Sequence, residues 1–105
     1  MASTTESFLL SKPANKLGGK GQEPIPGIVT ISDVKVLWKP ETPGTCGEEA
    51  MLLNDVQRQQ QVKGKPFLRI VASSGKAIGL GFRSEEDRNE VLELLKQLKN
   101  HFTML

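Results

Sequence analysis

The hydrophobic period of this chain changes within AIGLGFRSEEDRNEVLELLKQL, residues 77–98. Up to Phe82, apolar residues alternate with small ones, and this two-residue period is typical of a half-buried strand. After Ser84, apolar residues recur three or four positions apart, as on one face of an amphipathic helix. The helical set is Val91, Leu92, Leu95, Leu98 and Phe102. The stretch therefore predicts a last strand followed by one helix over residues 84–102.

The start of that helix carries further sequence signals. Ser84 is a favoured N-cap residue, and Asp87 follows three positions later. Glu85 and Glu86 place negative charge in the first turn, where the helix dipole stabilises it. Dipole complementarity therefore accounts for this group of carboxylates without a metal ion.

Upstream of residue 77, short stretches with a two-residue period alternate with turn-rich segments. The clearest is residues 66–73, in which Leu68 and Ile70 point to one side and leave the alternate residues on the other. Further strands are predicted over residues 8–11, 27–31, 34–38, 49–53, 56–63 and 77–82. The strand over 56–63 needs a bulge near residues 57–60 because its alternation is imperfect.

The remaining segments set the domain organisation. Residues 1–7 are small and polar and are predicted to form a flexible N-terminus. Residues 13–26 and 40–48 are rich in Gly and Pro and are predicted to be long loops. The chain has 105 residues, enough for one hydrophobic core, so residues 8–105 are predicted to form a single domain.

The order of these elements defines the fold class. About seven short antiparallel strands followed by one C-terminal amphipathic helix predict an α+β fold, in the order found in a pleckstrin-homology-like sandwich or barrel. Hydrophobic period alone does not separate this arrangement from other small α+β folds.

Composition disfavours most enzyme classes. The chain has one Cys and one His, so an internal disulfide and the usual Cys/His zinc frameworks are excluded. Triad chemistry would depend on His101, which is more simply a surface or capping residue of the last helical turn. No catalytic residue, metal site or cofactor is predicted.

The sequence also indicates where in the cell the protein is located. The longest apolar runs have four or five residues, whereas a membrane span needs about twenty. The first residues lack the basic start and the apolar stretch of a secretory signal. We therefore expect a soluble, intracellular protein.

Three isolated motifs have simple structural interpretations. The GGKG sequence at residues 18–21 lacks the spacing and the following helix of a phosphate-binding loop, so a flexible loop is favoured. Cys46 has no base nearby in sequence and is interpreted as an incidental thiol. Trp38 ends an alternating strand and is interpreted as a core residue.

Charge is unevenly distributed along the chain. The net charge is only +2, yet residues 55–83 contain six basic side chains and only Asp55 as an acidic one. Within this block, the face of the 66–73 strand opposite the predicted core carries Phe67 between two cations, Lys65 and Arg69. An aromatic residue between cations suits an acidic, extended peptide with a bulky apolar anchor, although a solvated sheet face explains the charges equally well.

Several strings in the sequence, taken in order, resemble one family. They are GIVTISDVKVLWKP from Gly27, LLNDVQRQ, KGKPFLRIVASSG, GFRS and EVLELLKQL. Their joint order and spacing resemble the N-terminal pleckstrin-homology-like domain of the large non-catalytic core subunit of transcription factor TFIIH, over about residues 8–102. The specificity of the resemblance lies in this order, since no single string is unique.

The resemblance implies a docking module of a longer, nuclear parent chain that contacts other TFIIH subunits. Its expected partners are acidic disordered segments, namely activation domains, the large TFIIE subunit and nucleotide-excision repair factors. The residues it implies for partner binding are Gln59, Lys65, Phe67 and Arg69. Lys63, which lies near them in the basic block, completes the predicted site. Gln59 is expected to hydrogen-bond the partner's backbone.

The sequence departs from the family at one point. Positions that match a basic pair in the family hold Glu23 and Pro24 here. Lys12, Lys16 and Lys20 form a possible secondary binding set, which would replace that charge if the loop folds toward the site.

The sequence gives less support to two other binding functions. A phosphoinositide-binding domain is the alternative, since Lys12, Lys16 and Lys20 offer charge near the first loop, but they lack an organised arginine or strand-borne pair. Direct nucleic-acid binding is disfavoured because the pI of about 8.8 is only moderately basic and the aromatic residues are few. No small-molecule substrate or membrane partner is expected.

Overall fold

In the computed structural model, residues 7–18, 21–42, 44, 47–61 and 64–103 are described, with side chains up to residue 98 in the last helix. Seven strands and one α-helix lie in this part of the chain. They are β1 (Phe8–Lys16), β2 (Gly27–Ser32), β3 (Lys35–Pro40), β4 (Glu49–Leu52), β5 (Val56–Gln61), β6 (Phe67–Ala72), β7 (Ala77–Phe82) and α1 (Glu85–Thr103). A single turn of 3-10 helix, Leu53–Asp55, connects β4 to β5.

All strand pairs are antiparallel, and the order across the sheet is β4-β3-β2-β1-β7-β6-β5. β1 holds the two halves together because its first part pairs with β2 and its last three residues, from Ala14, pair with β7. The predicted fold class, seven antiparallel strands with one C-terminal helix, is confirmed.

The inner faces of the strands and one face of α1 form a single core. Trp38 is fully buried in it, and its indole Nε1 donates a hydrogen bond of 2.9 Å to the Ala14 carbonyl. On the described part of α1, the buried apolar residues are Val91, Leu92 and Leu95, each of which stabilises the fold by about 1.5–3 kcal/mol relative to exposure. The helix therefore belongs to the domain, as the sequence predicts.

Gly27 is required where β2 approaches β3. A Cβ atom at this position would collide with the Lys39 carbonyl oxygen and with the indole ring of Trp38. The absence of a side chain lets the two strands pair while Trp38 fills the core beneath them. This contact explains the spacing from Gly27 to Trp38 in the sequence.

The local signals at the helix start are confirmed. The hydroxyl oxygen of Ser84 accepts a hydrogen bond of 3.2 Å from the backbone N–H of Asp87. Glu85, Glu86 and Asp87 occupy the first turn of α1, as expected from the helix dipole.

Some predicted boundaries differ from the structure. The loop predicted over residues 13–26 begins later, because β1 continues through Pro13 to Lys16 by changing its partner from β2 to β7. Pro40 is the last residue of β3, so the loop predicted over 40–48 starts one residue later. Ser7 exchanges hydrogen bonds of 3.0 and 3.1 Å with Asp33, so the predicted flexible segment is shorter at that end.

Other sequence interpretations fall outside the described part. The predicted flexible residues 1–6, the Cys46 thiol and the side chain of His101 are among them. In β5 the expected bulge is present, since the pairing with β6 shifts between Val56 and Arg58.

Candidate functional site

The outer face of β6 and β7 carries the aromatic and basic residues that the sequence singled out. In an antiparallel pair, directly opposed residues have their side chains on the same face. Phe67 lies opposite Gly81, and Arg69 lies opposite Gly79. Leu68 and Ile70 occupy the other face, where both are buried in the core.

Gly79 of β7 forms the floor of a shallow apolar pocket on this outer face, and Gly81 lies two residues further along the same strand. Leu17, just after β1, lies over them: a Cβ at Gly79 would be 3.4 Å from Leu17 Cβ, and one at Gly81 would be 3.2 Å from Leu17 Cδ2. The same Cβ at Gly81 would be 3.3 Å from the Phe67 ring. The pocket has a volume of about 370 Å³ and is lined by Leu17, Gly18, Phe67, Leu68, Arg69, Ala77 and Gly79.

Two cations flank the pocket. The Lys65 ammonium lies 5.8 Å from the centroid of the Phe67 ring, within reach of a cation–π interaction. Arg69 is exposed at the rim. Neither side chain forms an ion pair with another described residue, so both can meet a carboxylate from outside the domain.

Gln59 does not join this group of residues. It pairs with Ile70 on the core-facing side of the sheet, whereas its neighbour Gln60 lies opposite Arg69 on the outer face. The cause is the bulge at the start of β5, which changes the phase of the residues after Val56. Lys63 lies outside the described residues.

The possible secondary lysines are engaged elsewhere. Lys12 contacts α1, with its ammonium 2.9 Å from Glu90 Oε1 and 3.4 Å from Asp87 Oδ1. These contacts, the hydrogen bond to Glu90 foremost, raise the pKa of Lys12 above its usual value. Lys20 lies outside the described part of the chain.

Lys16 is held by a carboxylate as well. Its ammonium lies 2.9 Å from Glu49 Oε2 and 5.7 Å from the centroid of the Trp38 ring. The hydrogen bond from Lys16 lowers the pKa of Glu49, and Lys76 at 3.8 Å adds to the effect. In the structure, neither Lys12 nor Lys16 lies among the residues that line the outer pocket.

The sequence does not identify two residues that line the pocket, Leu17 and Gly79, or their neighbour Gly81. Leu17 lies in a segment that the sequence predicts to be a loop, and its neighbours show no hydrophobic period. The alternation in β7 places Gly79 and Gly81 on the face opposite Ile78 and Leu80. Two residues without side chains on one face predict a gap there, and this is the signal that could have located the pocket. Their importance depends on Leu17, which follows β1, and on Phe67 of β6, and both of these residues contact Gly81 from outside β7.

Arg88 of α1 also supports the site. It is 5% exposed, and its Nη1 donates a hydrogen bond of 2.7 Å to the Lys65 carbonyl. Pro66, the residue after Lys65, is joined to β7, because its carbonyl accepts a hydrogen bond of 2.8 Å from the N–H of Phe82. The backbone that carries Lys65 into β6 is thus held from two sides.

Neither a cluster of metal-ligating side chains nor a membrane-spanning helix is found in the described part of the chain. The described residues contain no group of three or more His, Cys, Asp or Glu side chains placed to hold a metal ion. Among the described helices, none combines the length and apolar character needed to cross a bilayer.

Comparison with solved structures shows a pleckstrin-homology domain fold. The human KIAA0053 pleckstrin homology domain is similar at a TM-score of 0.74 and 12% identity, covering 95% of each chain. The N-terminal domain of this type in human ARAP2 is similar at 0.73 and 14% identity, covering 95% of this chain and 85% of that one.

A similar domain also occurs within a larger fragment. The DH/PH domain of human ARHGEF11, solved with human RhoA and its inhibitor, matches at a TM-score of 0.76 and 16% identity over 91% of this chain. This chain spans 30% of that fragment's length. No family model and no curated protein sequence matches the chain.

Proposed function

We propose that this domain is a non-enzymatic protein-interaction module that binds acidic, disordered segments on the outer face of β6 and β7. The observation that carries the proposal is the pocket of about 370 Å³ beside Phe67, flanked by Lys65 and Arg69. An apolar cavity next to cations without internal ion pairs suits a ligand that combines carboxylates with one bulky apolar side chain.

Each part of the site has a separate role in this binding mode. Lys65 and Arg69 attract Asp and Glu side chains of the ligand and set its register. The anchor side chain enters between Phe67 and Leu17, above the floor formed by Gly79. Gln60, on the outer face opposite Arg69, takes over the backbone contact expected of Gln59.

The finer assignment is a module of the large non-catalytic core subunit of TFIIH, acting in the nucleus. It is supported by the order of the strings from Gly27 to the helix and by the pleckstrin-homology fold. The partners proposed on this basis are activation domains, the large TFIIE subunit and nucleotide-excision repair factors. Contacts with other TFIIH subunits would involve the parent chain.

The proposal is tested by reversing both charges at the pocket. Lys65→Glu together with Arg69→Glu is expected to abolish binding of an acidic peptide that carries one Phe or Trp, measured by fluorescence anisotropy. The matched control is Lys39→Glu with Lys96→Glu, two exposed lysines elsewhere that give the same change in net charge. Binding in the control should persist and weaken with salt, because the charges involved are exposed.

Two results would reject this assignment. One is unchanged binding in the Lys65 and Arg69 variant. The other is an equal loss in both variants, because this would mean that net charge alone attracts the peptide. The thermal midpoint should stay nearly constant in both variants, since the replaced side chains make no ion pair or only weak exposed ones.

Phosphoinositide binding is the alternative function. The contacts of Lys12 with Glu90 and of Lys16 with Glu49 weigh against it, because two of the three lysines that would supply the site are neutralised within the domain. We expect no co-flotation with phosphoinositide liposomes at physiological salt. Flotation that survives reversal of Lys65 and Arg69 would favour the lipid function.

A further inference from the structure

We propose that the groove between β1 and α1 is a separate docking site for an extended protein segment in which lysine or arginine alternates with apolar residues. The groove has a volume of about 570 Å³ and combines apolar residues from the strand with carboxylates from the helix. Its lining residues are Leu9, Leu10, Glu86, Asn89, Glu90, Glu93, Leu94 and Gln97. Its charge is opposite to that of the Phe67 pocket.

The apolar wall results from an irregularity in β1. Consecutive residues of a regular strand point to opposite faces, yet Leu9 and Leu10 both line the groove. The pairing of β1 with β2 shifts between Phe8 and Leu10, and a bulge of this kind redirects a side chain. Leu9 is 46% exposed as a result, and Leu10 and Leu94 are half-buried beside it.

The edge of β1 at the groove favours an extended ligand. Among the described strands, β1 pairs only with β2 over residues 8–13, and its pairing with β7 starts at Ala14. Over this first part of the strand its other edge has no strand partner among the described residues, and Leu9 and Leu10 line the groove with α1. A strand edge with one partner can add a ligand strand through main-chain hydrogen bonds.

The helix wall selects positive charge. Glu86, Glu90 and Glu93 follow one another at spacings of four and three residues, so they form a stripe along one face of α1. Lys12 already illustrates the chemistry, because its ammonium extends from β1 to Glu90 and Asp87 across the end of the groove.

Two carboxylates of the stripe remain available to a ligand. Among the described side chains, Glu86 has no ion pair and Glu93 meets only Lys96, at 3.9 Å with both side chains more than half exposed. Lysine or arginine side chains of a bound segment would therefore pair with Glu86 and Glu93, while its apolar residues cover Leu9 and Leu94.

The probe is a pool of octapeptides with lysine or arginine at alternate positions and Val, Leu, Ile or Phe between them. It is applied to the immobilised 105-residue chain, and a second pool with glutamate at the charged positions serves as the control. Enrichment from the basic pool alone is expected. Absence of enrichment, or equal enrichment from the acidic pool, would overturn the proposal.

Paired variants then test the site with the most enriched peptide. Glu86→Gln with Glu93→Gln should weaken binding by roughly three- to tenfold, whereas Glu23→Gln with Glu41→Gln, the same charge change elsewhere, should leave it unchanged. Leu9→Ser should weaken binding, and Leu52→Ser, which removes a similarly exposed leucine from another face, should not. Equal effects within either pair would overturn the proposal.

The mode of binding has its own measurement. In ¹H–¹⁵N spectra, we expect the peptide to shift the amides of residues 8–13 and 86–97 and to slow hydrogen exchange in the first of these ranges. Shifts centred on Phe67 and Gly79 would place the peptide at the other site and overturn the assignment. Shifts along α1 without protection of β1 would overturn the strand-addition mode.

Discussion

Arg88 Nη1 and the Lys65 carbonyl oxygen are joined by a hydrogen bond of 2.7 Å, although the two residues are 23 positions apart in the chain. Arg88 is nearly buried, and its guanidinium also donates to Asn89 Oδ1 at 3.1 and 3.2 Å. This contact connects the helix that closes the core to the turn from which Lys65 and Phe67 enter the outer face.

Replacement of Arg88 should therefore affect both stability and binding. Arg88→Met keeps the length of the side chain but leaves the Lys65 carbonyl without its donor, which should lower the free energy of unfolding by about 1–3 kcal/mol. Urea denaturation measures this change. Affinity for the acidic peptide should fall as well, because the backbone of Lys65 is no longer held against α1.

Leu95→Ala separates the two effects. It removes a buried side chain of α1 that is distant in sequence from the turn, and it should cost about 2–5 kcal/mol. Under conditions where both variants are fully folded, we expect normal peptide affinity in Leu95→Ala and reduced affinity in Arg88→Met. Equal affinities would show that Arg88 acts on stability alone.

A methyl group can be added to the floor of the pocket at Gly79 without unfolding the domain. A Cβ at Gly79 would be in ordinary contact with Leu17 at 3.4 Å, so Gly79→Ala should keep the stability within about 1 kcal/mol of the parent. The extra methyl group occupies space needed by the anchor of the acidic peptide. We expect affinity to fall about fivefold or more, as for other changes at central interface contacts.

Gly47→Ala is the control for this experiment. A Cβ at Gly47 has no heavy atom within 4 Å, and the residue lies outside the pocket. Isothermal titration of both variants with the same peptide gives the comparison. If Gly79→Ala bound as well as Gly47→Ala, the pocket would not hold the anchor.

The fold was predictable because its core follows simple periods. Leu68 and Ile70 in β6, and Val91 and Leu95 in α1, lie at the spacings that the strand and helix require, and all four are buried. Apolar burial dominates folding, so the sequence signal and the structural outcome share one cause. The cap at Ser84 was predictable for a similar reason, because its hydrogen bond is local.

The site was only partly predictable, because its geometry depends on contacts between distant segments. Phe67 and Arg69 were located from the strand phase alone. The family resemblance places Gln59 in the ligand-binding group, yet the bulge at the start of β5 turns it to the core-facing side. The sequence predicts a bulge in this strand, but a run of glutamines has no apolar pattern to show which residues the bulge turns. Leu17 reaches the site from the segment after β1 and Arg88 from α1, and no local period marks such long-range contacts.

Gly27 gives a prediction about the other half of the sheet. Gly27→Ala would force a Cβ into the Lys39 carbonyl and the Trp38 ring, so β2 and β3 must separate or the indole must move. Overpacking of this kind should lower the free energy of unfolding by about 1–3 kcal/mol. Tryptophan fluorescence reports it directly, since Trp38 is the sole tryptophan. A parent-like unfolding curve would contradict the close approach.

The contact of Lys16 with Glu49 predicts how stability depends on pH. Because Lys16 lowers the pKa of Glu49 below its reference value of 4.5, the folded state favours the ionised carboxylate more than the unfolded state does. This contribution is fully present above pH 4.5 and is lost as the pH falls through the folded-state pKa. Glu49→Gln should therefore show a shallower loss of stability on acidification than the parent, measured by urea denaturation between about pH 3 and pH 7.

Glu48→Gln is the matched control, because the Glu48 carboxylate is 58% exposed and lies 3.9 Å from Lys39. It should keep the parent's slope, and an equally shallow slope in both variants would assign the acid sensitivity to carboxylates other than Glu49.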